Sequence, residues 1–275
     1  MNAWVLAARP KTLSAAVVPV MAGASLVRGP LSWPLLACTL LGAVLIQIAT
    51  NFINDALDFK KGADTSERIG PVRVTSAGLL SAGSVMRAAY VCFAGAALCG
   101  VPLIMRAGWP LLAIGVASIV AAYAYTGGPF PLAYHGLGEV FVIVFFGVIA
   151  VGGTYYVQTL RFTPEVLIAG VAVGLLATVL IVINNLRDVN SDRASNKRTT
   201  VVRFGETFAR VEIAACALLP FVAAVVLGRL YTLIALPLAV FVLVSAWRGS
   251  GRALNKSLAL AGLLQWCYGL LFLAV

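Results

Sequence analysis

The 275-residue chain is 61% apolar and only 11% charged, with a formal charge of +10 at pH 7. Soluble domains carry about 25% charged residues, so this composition excludes an ordinary globular fold and makes lipid the solvent for most of the surface. There is no solvated basic domain to present the positive charge to nucleic acid, which leaves membrane topology and anionic ligands to account for it.

Met1 to Lys11 shows no cleavable leader, because Arg9 and Lys11 run straight into an apolar stretch without a small-residue exit. Apolar runs of about 20 residues then recur to the end of the chain. They predict spans near 12–28, 33–57, 84–105, 108–126, 137–158, 164–185, 207–227, 230–247 and 256–274. The expectation is an all-α polytopic bundle of about nine transmembrane helices, with residues 1–275 forming one integral-membrane domain. Arg28, Arg106, Arg161 and Arg229 each mark a short Gly- or Pro-bearing turn, whereas 59–83 and 186–206 are longer and rich in charge. With the N-terminus inside, sixteen cations face the cytoplasm and these four face out, as the positive-inside rule requires. Both long loops then lie on the cytoplasmic side as a catalytic cap of a multi-pass protein of the cell (inner or plasma) membrane. The five cysteines have no metal-like spacing and read as reduced core residues.

Two polar stretches close apolar runs. On a helix, Asn51, Asn54, Asp55 and Asp58 share one face, and Asn184 or Asn185 shares another with Asp188 and Asp192. Five of the ten acids (Asp55, Asp58, Asp64, Asp188 and Asp192) fall in these two windows. Acids at the ends of spans are often simply solvated, and Glu165, Glu206 and Glu212 read that way. The clustered ones read as function, since an acid at a span centre costs about 2.5–3.5 kcal/mol. Carboxylates and amides from two helices, with cations around them, suit Mg²⁺ bridged to a diphosphate; Asn54, Asp58, Asp188 and Asp192 are the expected metal ligands. Lys60, Lys61, Arg68, Arg73, Lys197 and Arg198 are diphosphate candidates or topological anchors, with Arg68, Arg73, Lys197 and Arg198 preferred. Lys11 opens the first span on the same face. Tyr123 and Tyr125, at the inner end of the fourth span, either make a cation–π contact or anchor the interface. His135 stands alone, without a metal constellation, and reads as an interfacial or hydrogen-bonding residue or a general base.

With nine predicted spans, the patterns Asn54-Asp-x-x-Asp58 and Asp188-x-x-x-Asp192 resemble the UbiA superfamily of membrane-embedded aromatic prenyltransferases. Ala8-Arg-Pro-Lys-Thr-Leu-Ser-Ala-Ala, Asn54-Asp-x-x-Asp-x-x-x-Gly-Ala-Asp, Glu67-Arg-Ile-Gly-Pro-Val-Arg, Tyr125-Thr-Gly-Gly-Pro and Asn185-Leu-Arg-Asp with Lys197-Arg-Thr are similar to the 1,4-dihydroxy-2-naphthoate polyprenyltransferases of menaquinone synthesis. Gly62 stands where many relatives carry an acid, with Asp64 as the candidate replacement. The resemblance implies Mg²⁺-dependent transfer of a chain from polyprenyl diphosphate to 1,4-dihydroxy-2-naphthoate, with loss of the ring carboxylate as CO₂. It further implies catalytic roles for Asp55, Asp58, Asp188, Asp192 and Tyr125, and substrate binding by Lys11, Asn51, Asn54, Arg68, Arg73, Asn184, Asn185, Lys197 and Arg198. The rivals are another aromatic acceptor, such as 4-hydroxybenzoate or homogentisate, and a secondary transporter. A transporter would place its acids mid-span at broken helices rather than at one membrane face.

Overall fold

A computed structural model describes residues 2–62, 69–70 and 73–274. Every regular element among them is helical. The chain opens with α1 (Ala3–Ala8), capped by Asn2, whose side chain accepts from the Trp4 N–H at 2.9 Å. Arg9 then adopts a left-handed conformation (φ 51°) before Pro10, and α2 (Ser14–Ser25) leaves at 46° to the segment before it. A non-glycine residue at positive φ followed by Pro cannot continue a helix, which accounts for the bend. The expected first span, near 12–28, meets α2, and the bend joins it to the segment Ala3–Thr12 before it.

The remaining long helices are α3 (Trp33–Lys60), α4 (Ala82–Ala107), α5 (Trp109–Ala124), α6 (Gly138–Thr159), α7 (Pro164–Arg187), α10 (Glu206–Val226), α11 (Leu230–Arg248) and α12 (Leu254–Leu273). Two short helices, α8 (Val189–Ala194) and α9 (Thr200–Phe204), lie between α7 and α10. Seven helices have the length and hydropathy to cross a membrane, or eight if the bent pair at the N-terminus is counted as one span. The expected count of nine is not confirmed. The expected fourth span, α5, has 16 residues; at 1.5 Å per residue it reaches about 24 Å, short of a hydrocarbon core about 30 Å thick. Helix α3 errs the other way. Its 28 residues reach about 42 Å, so its last turns extend beyond the apolar layer.

Two apolar cores organise the bundle. Phe52, Ile53, Val85, Ala89 and Phe93 knit α3 to α4, with α1 and α5 against them. The larger core is centred on α7, whose Val173, Leu176, Val179 and Ile183 are all within 1% of complete burial, and α10, α11 and α12 close around it. Helix α2 touches both halves: Val18 meets Gly269 of α12, and Val20 and Ala24 pack with Leu36 of α3. The tightest approach joins α6 and α7. A Cβ on Gly147 would lie 2.3 Å from the Gly170 carbonyl oxygen, and one on Gly174 would lie 2.8 Å from that of Ile143. Here α6 is a π-helix over Ile143–Ile149. Its wider turn presents Phe145 and Phe146 together to an apolar cavity of about 200 Å³ enclosed by α2 to α6.

Candidate active site

The cavity leads, at Tyr125, to a polar site built on the ends of α3 and α7. On the first wall, the carboxylate of Asp55 accepts from Val74 N–H (3.2 Å), Thr75 N–H (3.0 Å) and the Thr75 hydroxyl, and the residue is 1% exposed. Asp55, an expected catalytic residue, holds the 73–75 segment against the end of α3 through these bonds. The segment it anchors carries Arg73, whose Nη2 donates to Asp58 Oδ2 at 2.9 Å. Asp58 Oδ1 accepts from the Tyr134 hydroxyl at 3.2 Å. One turn back, Asn54 Oδ1 accepts from the Thr126 hydroxyl. Asn51 turns toward the N-terminal bend, donating to the Ala8 carbonyl (2.9 Å) and to Thr12 Oγ1 (3.0 Å). Lys61 donates to the Thr126 carbonyl and lies 4.4 Å from the Tyr134 ring centroid. Burial lowers its ammonium pKa, and Asp58 opposes that shift.

The second wall begins where α7 stops. Arg187 holds Asp188 in a fork, Nε to Oδ1 at 2.8 Å and Nη2 to Oδ2 at 2.6 Å, and its Nη1 donates to Asn255 of α12 at 3.0 Å. Asp192, on α8, is 7% exposed and receives Lys197 Nζ on Oδ1 at 3.3 Å, while Oδ2 is buried without a hydrogen-bond partner among the described residues. Burial raises its carboxyl pKa above the usual range. Asp188 and Asp58 reinforce the shift and Lys197 opposes it. Asp58 of the first wall and Asp192 of the second therefore feel one another. Tyr134 ties the walls together: its hydroxyl reaches Asp58 and its carbonyl accepts from Arg198 N–H at 3.0 Å.

The other expected residues divide. Asn184 is half-buried, with no side-chain hydrogen bond among the described residues, on the face that leads to Asp188. Asn185 points elsewhere, donating to Glu139 Oε1 at 3.0 Å, where the Thr200 hydroxyl also donates. Lys11 and Arg198 are exposed. Tyr125 lines the cavity, and burial raises its phenol pKa, with Glu139, Asp58 and Asp192 adding to the shift. His135 stacks on Phe130 at 3.7 Å and bonds to the Pro131 carbonyl, which is the local structural role. Arg68 and Asp64 lie outside the described residues.

Tyr134, Thr126 and Arg187 were not expected in the site. Tyr134 and Thr126 sit in the 125–137 connection, where no periodicity gives a direction. Arg187 precedes Asp188, and consecutive residues of one helix point apart; the two meet only because α7 ends between them.

Among the described residues, no three His, Cys, Asp or Glu side chains converge into a metal site by themselves. The donors nevertheless suit Mg²⁺, which takes one or two carboxylates and completes its shell with water and substrate phosphate oxygens. The unpaired Oδ2 of Asp192 is a buried anionic oxygen in want of such a partner.

The profile of the UbiA prenyltransferase family matches residues 16–269. The chain belongs to that family. It is 39% identical over 245 residues to the 1,4-dihydroxy-2-naphthoate octaprenyltransferase of Escherichia coli K12, covering 84% of this chain and 78% of that one. It is 41% identical over 212 residues to the enzyme of the same name from Mycobacterium tuberculosis H37Rv, covering 76% and 72%. The fold is shared with a UbiA homolog from Aeropyrum pernix K1 (TM-score 0.74, 18% identity, 95% and 96% of the two chains). It is also shared with one from Archaeoglobus fulgidus bound to DMAPP and Mg²⁺ (TM-score 0.63, 14% identity, 99% of each chain).

Proposed function

We propose that this UbiA-family chain transfers a polyprenyl group from its diphosphate to 1,4-dihydroxy-2-naphthoate, releasing diphosphate and CO₂ and forming demethylmenaquinol. One observation carries the reading: two oxygen-rich walls, each bearing cations, stand at the mouth of an apolar cavity. A polyprenyl diphosphate has this division of character, a dianionic or trianionic head on a hydrocarbon tail. The names of the relatives supply the acceptor.

On this reading Asn54, Asp58, Asp188 and Asp192 hold Mg²⁺. Bound there, the ion neutralises charge that develops on the departing diphosphate. Arg73, Lys197 and Arg198 bind the diphosphate, joined by Arg68, Lys11 and Lys61, and preorganised charge of this kind is usually the largest catalytic contribution. Tyr125, at the junction of cavity and cage, shields the allylic carbon as the C–O bond breaks, a contact of up to about 2 kcal/mol when dry. The electron-rich ring carbon then attacks that allylic carbon, and loss of the carboxylate as CO₂ restores aromaticity. Asn184, half-buried on the face that leads to Asp188, and Asn51, one turn before Asn54, complete the expected substrate-binding set. The site faces the cytoplasm, following the sixteen-to-four cation asymmetry.

The test is product analysis of purified protein given Mg²⁺, one polyprenyl diphosphate, and dihydroxynaphthoate, 4-hydroxybenzoate and homogentisate in competition. Prenylated naphthoquinol and stoichiometric CO₂ are expected. Preferential prenylation of either single-ring acid would overturn the assignment of the acceptor.

A further inference from the structure

One polar group in the cavity wall has no part in the chemistry above. Gln47 lies one turn before Asn51 on the same face of α3, lines the apolar cavity and is 7% exposed. Thr12 sets the direction of its amide. The Thr12 hydroxyl donates to the Arg9 carbonyl at 3.0 Å, so its oxygen is left to accept from Gln47 Nε2 (3.3 Å) and Asn51 Nδ2 (3.0 Å). A hydroxyl has one proton to give. The NH₂ of Gln47 therefore points at Thr12, and Oε1 is left buried with no hydrogen-bond partner among the described residues.

A buried carbonyl oxygen is strongly disfavoured unless something donates to it. A hydrocarbon tail carries no donor, and an ionised diphosphate or carboxylate only accepts. The complementary group is a hydroxyl. Gln47 and Asn54 are seven residues apart on one helix, about 10 Å along its axis, which leaves room for a bicyclic ring between the diphosphate cage and this oxygen.

We propose that Gln47 Oε1 accepts a hydrogen bond from a ring hydroxyl of the aromatic acceptor, which makes Gln47 a specificity-determining residue. The inference rests on the acyclic-donor, aromatic-acceptor reading given above. A hydroxyl held this way is oriented and made more electron-releasing toward the attacked carbon. A site built to pair a hydroxyl rejects an analogue that lacks it, because its own polar group is then left unpaired.

The experiment measures KM for each substrate with the purified full chain, Mg²⁺ and one polyprenyl diphosphate, in wild type, Gln47→Met and Gln47→Leu. Expected is a rise of about tenfold or more in KM for dihydroxynaphthoate, with KM for the polyprenyl diphosphate within twofold and the melting temperature not lowered. The two monomethyl ethers of dihydroxynaphthoate serve as the second measurement. Wild type should reject one ether much more strongly than the other, and Gln47→Met should erase that difference. An unchanged naphthoate KM in a folded variant, an equal rise in both KM values, or equal turnover of the two ethers by wild type would each overturn the proposal. If both variants fail to fold, the ether comparison on wild type decides by itself. Should wild type prenylate a different phenol and no naphthoate, the acceptor assignment fails, and the same KM comparison with that phenol still tests Gln47.

Discussion

Asp55 and Asp192 are both buried acids in the two motif stretches, yet they have opposite duties. Asp55 has its donors in place, from Val74 and Thr75, and the segment so held puts Arg73 beside Asp58. Asp55→Ala leaves those N–H groups unpaired and should lower stability by about 1–3 kcal/mol, seen as a fall in melting temperature with activity falling alongside it. Asp192 is the reverse case. Its carboxyl pKa is raised in the fold, so its contribution to stability is greatest below the unfolded value of 3.8 and is lost as pH rises through the folded one. Ionising this side chain is therefore a cost to the fold, which on the reading proposed above serves the ligand. Asp192→Asn should leave the melting temperature equal or higher while activity falls at least about a hundredfold. A thermal melt and an initial rate on the same preparation check both variants, and a destabilised Asp192→Asn would show that the residue is structural.

At the scale of elements, the site depends on two helix ends meeting. Helix α3 is longer than the apolar layer and α7 stops at Arg187; Asp58 and Asp192 come within electrostatic reach across the gap. Residues that act as a unit lose little more when a second is removed. Asp58→Asn combined with Asp192→Asn should therefore be little slower than the poorer single variant, as initial rates at saturating Mg²⁺ would show; multiplicative losses would mean separate sites. Tyr134 is the clasp, with its hydroxyl on α3 and its carbonyl on the 195–200 segment. Tyr134→Phe removes only the hydroxyl bond. It should raise KM for polyprenyl diphosphate several-fold, leave KM for the aromatic acceptor nearly unchanged, and cost about 0.5–1.5 kcal/mol of stability.

For the whole molecule, the cavity and the lipid act together on the hydrocarbon chain. Gly115 lines the cavity, and a Cβ built there meets nothing within 4 Å. Gly115→Phe should thus be accommodated by the fold while filling space the tail would occupy, favouring short prenyl diphosphates over long ones. Competition between geranyl and octaprenyl diphosphates reads this out, and an unchanged ratio would place the tail elsewhere. Orientation is tested with Ser195→Cys and Arg161→Cys in a cysteine-free background. The first should react with an impermeant thiol reagent only from the cytoplasmic side, the second only from outside.

The sequence by itself determined the helical membrane class and the two polar stretches, because hydrophobic run length and helical spacing are local properties. It also grouped Asn54 with Asp58, since residues four apart on one helix share a face. Only the tertiary structure decided what those side chains touch. Asp55 and Asp58 look alike in the motif, and what separates them is a segment nearly twenty residues later that folds back onto one and brings an arginine to the other. Asn184 and Asn185 were equivalent until α6 placed Glu139 beside the second. The direction of Gln47 depends on a hydroxyl 35 residues away at the N-terminal bend. Each expected span meets a helix, yet the first is bent against the segment before it and the fourth, α5, is short: both are tolerated where neighbouring helices cover the backbone, and hydropathy along one chain does not register a neighbour.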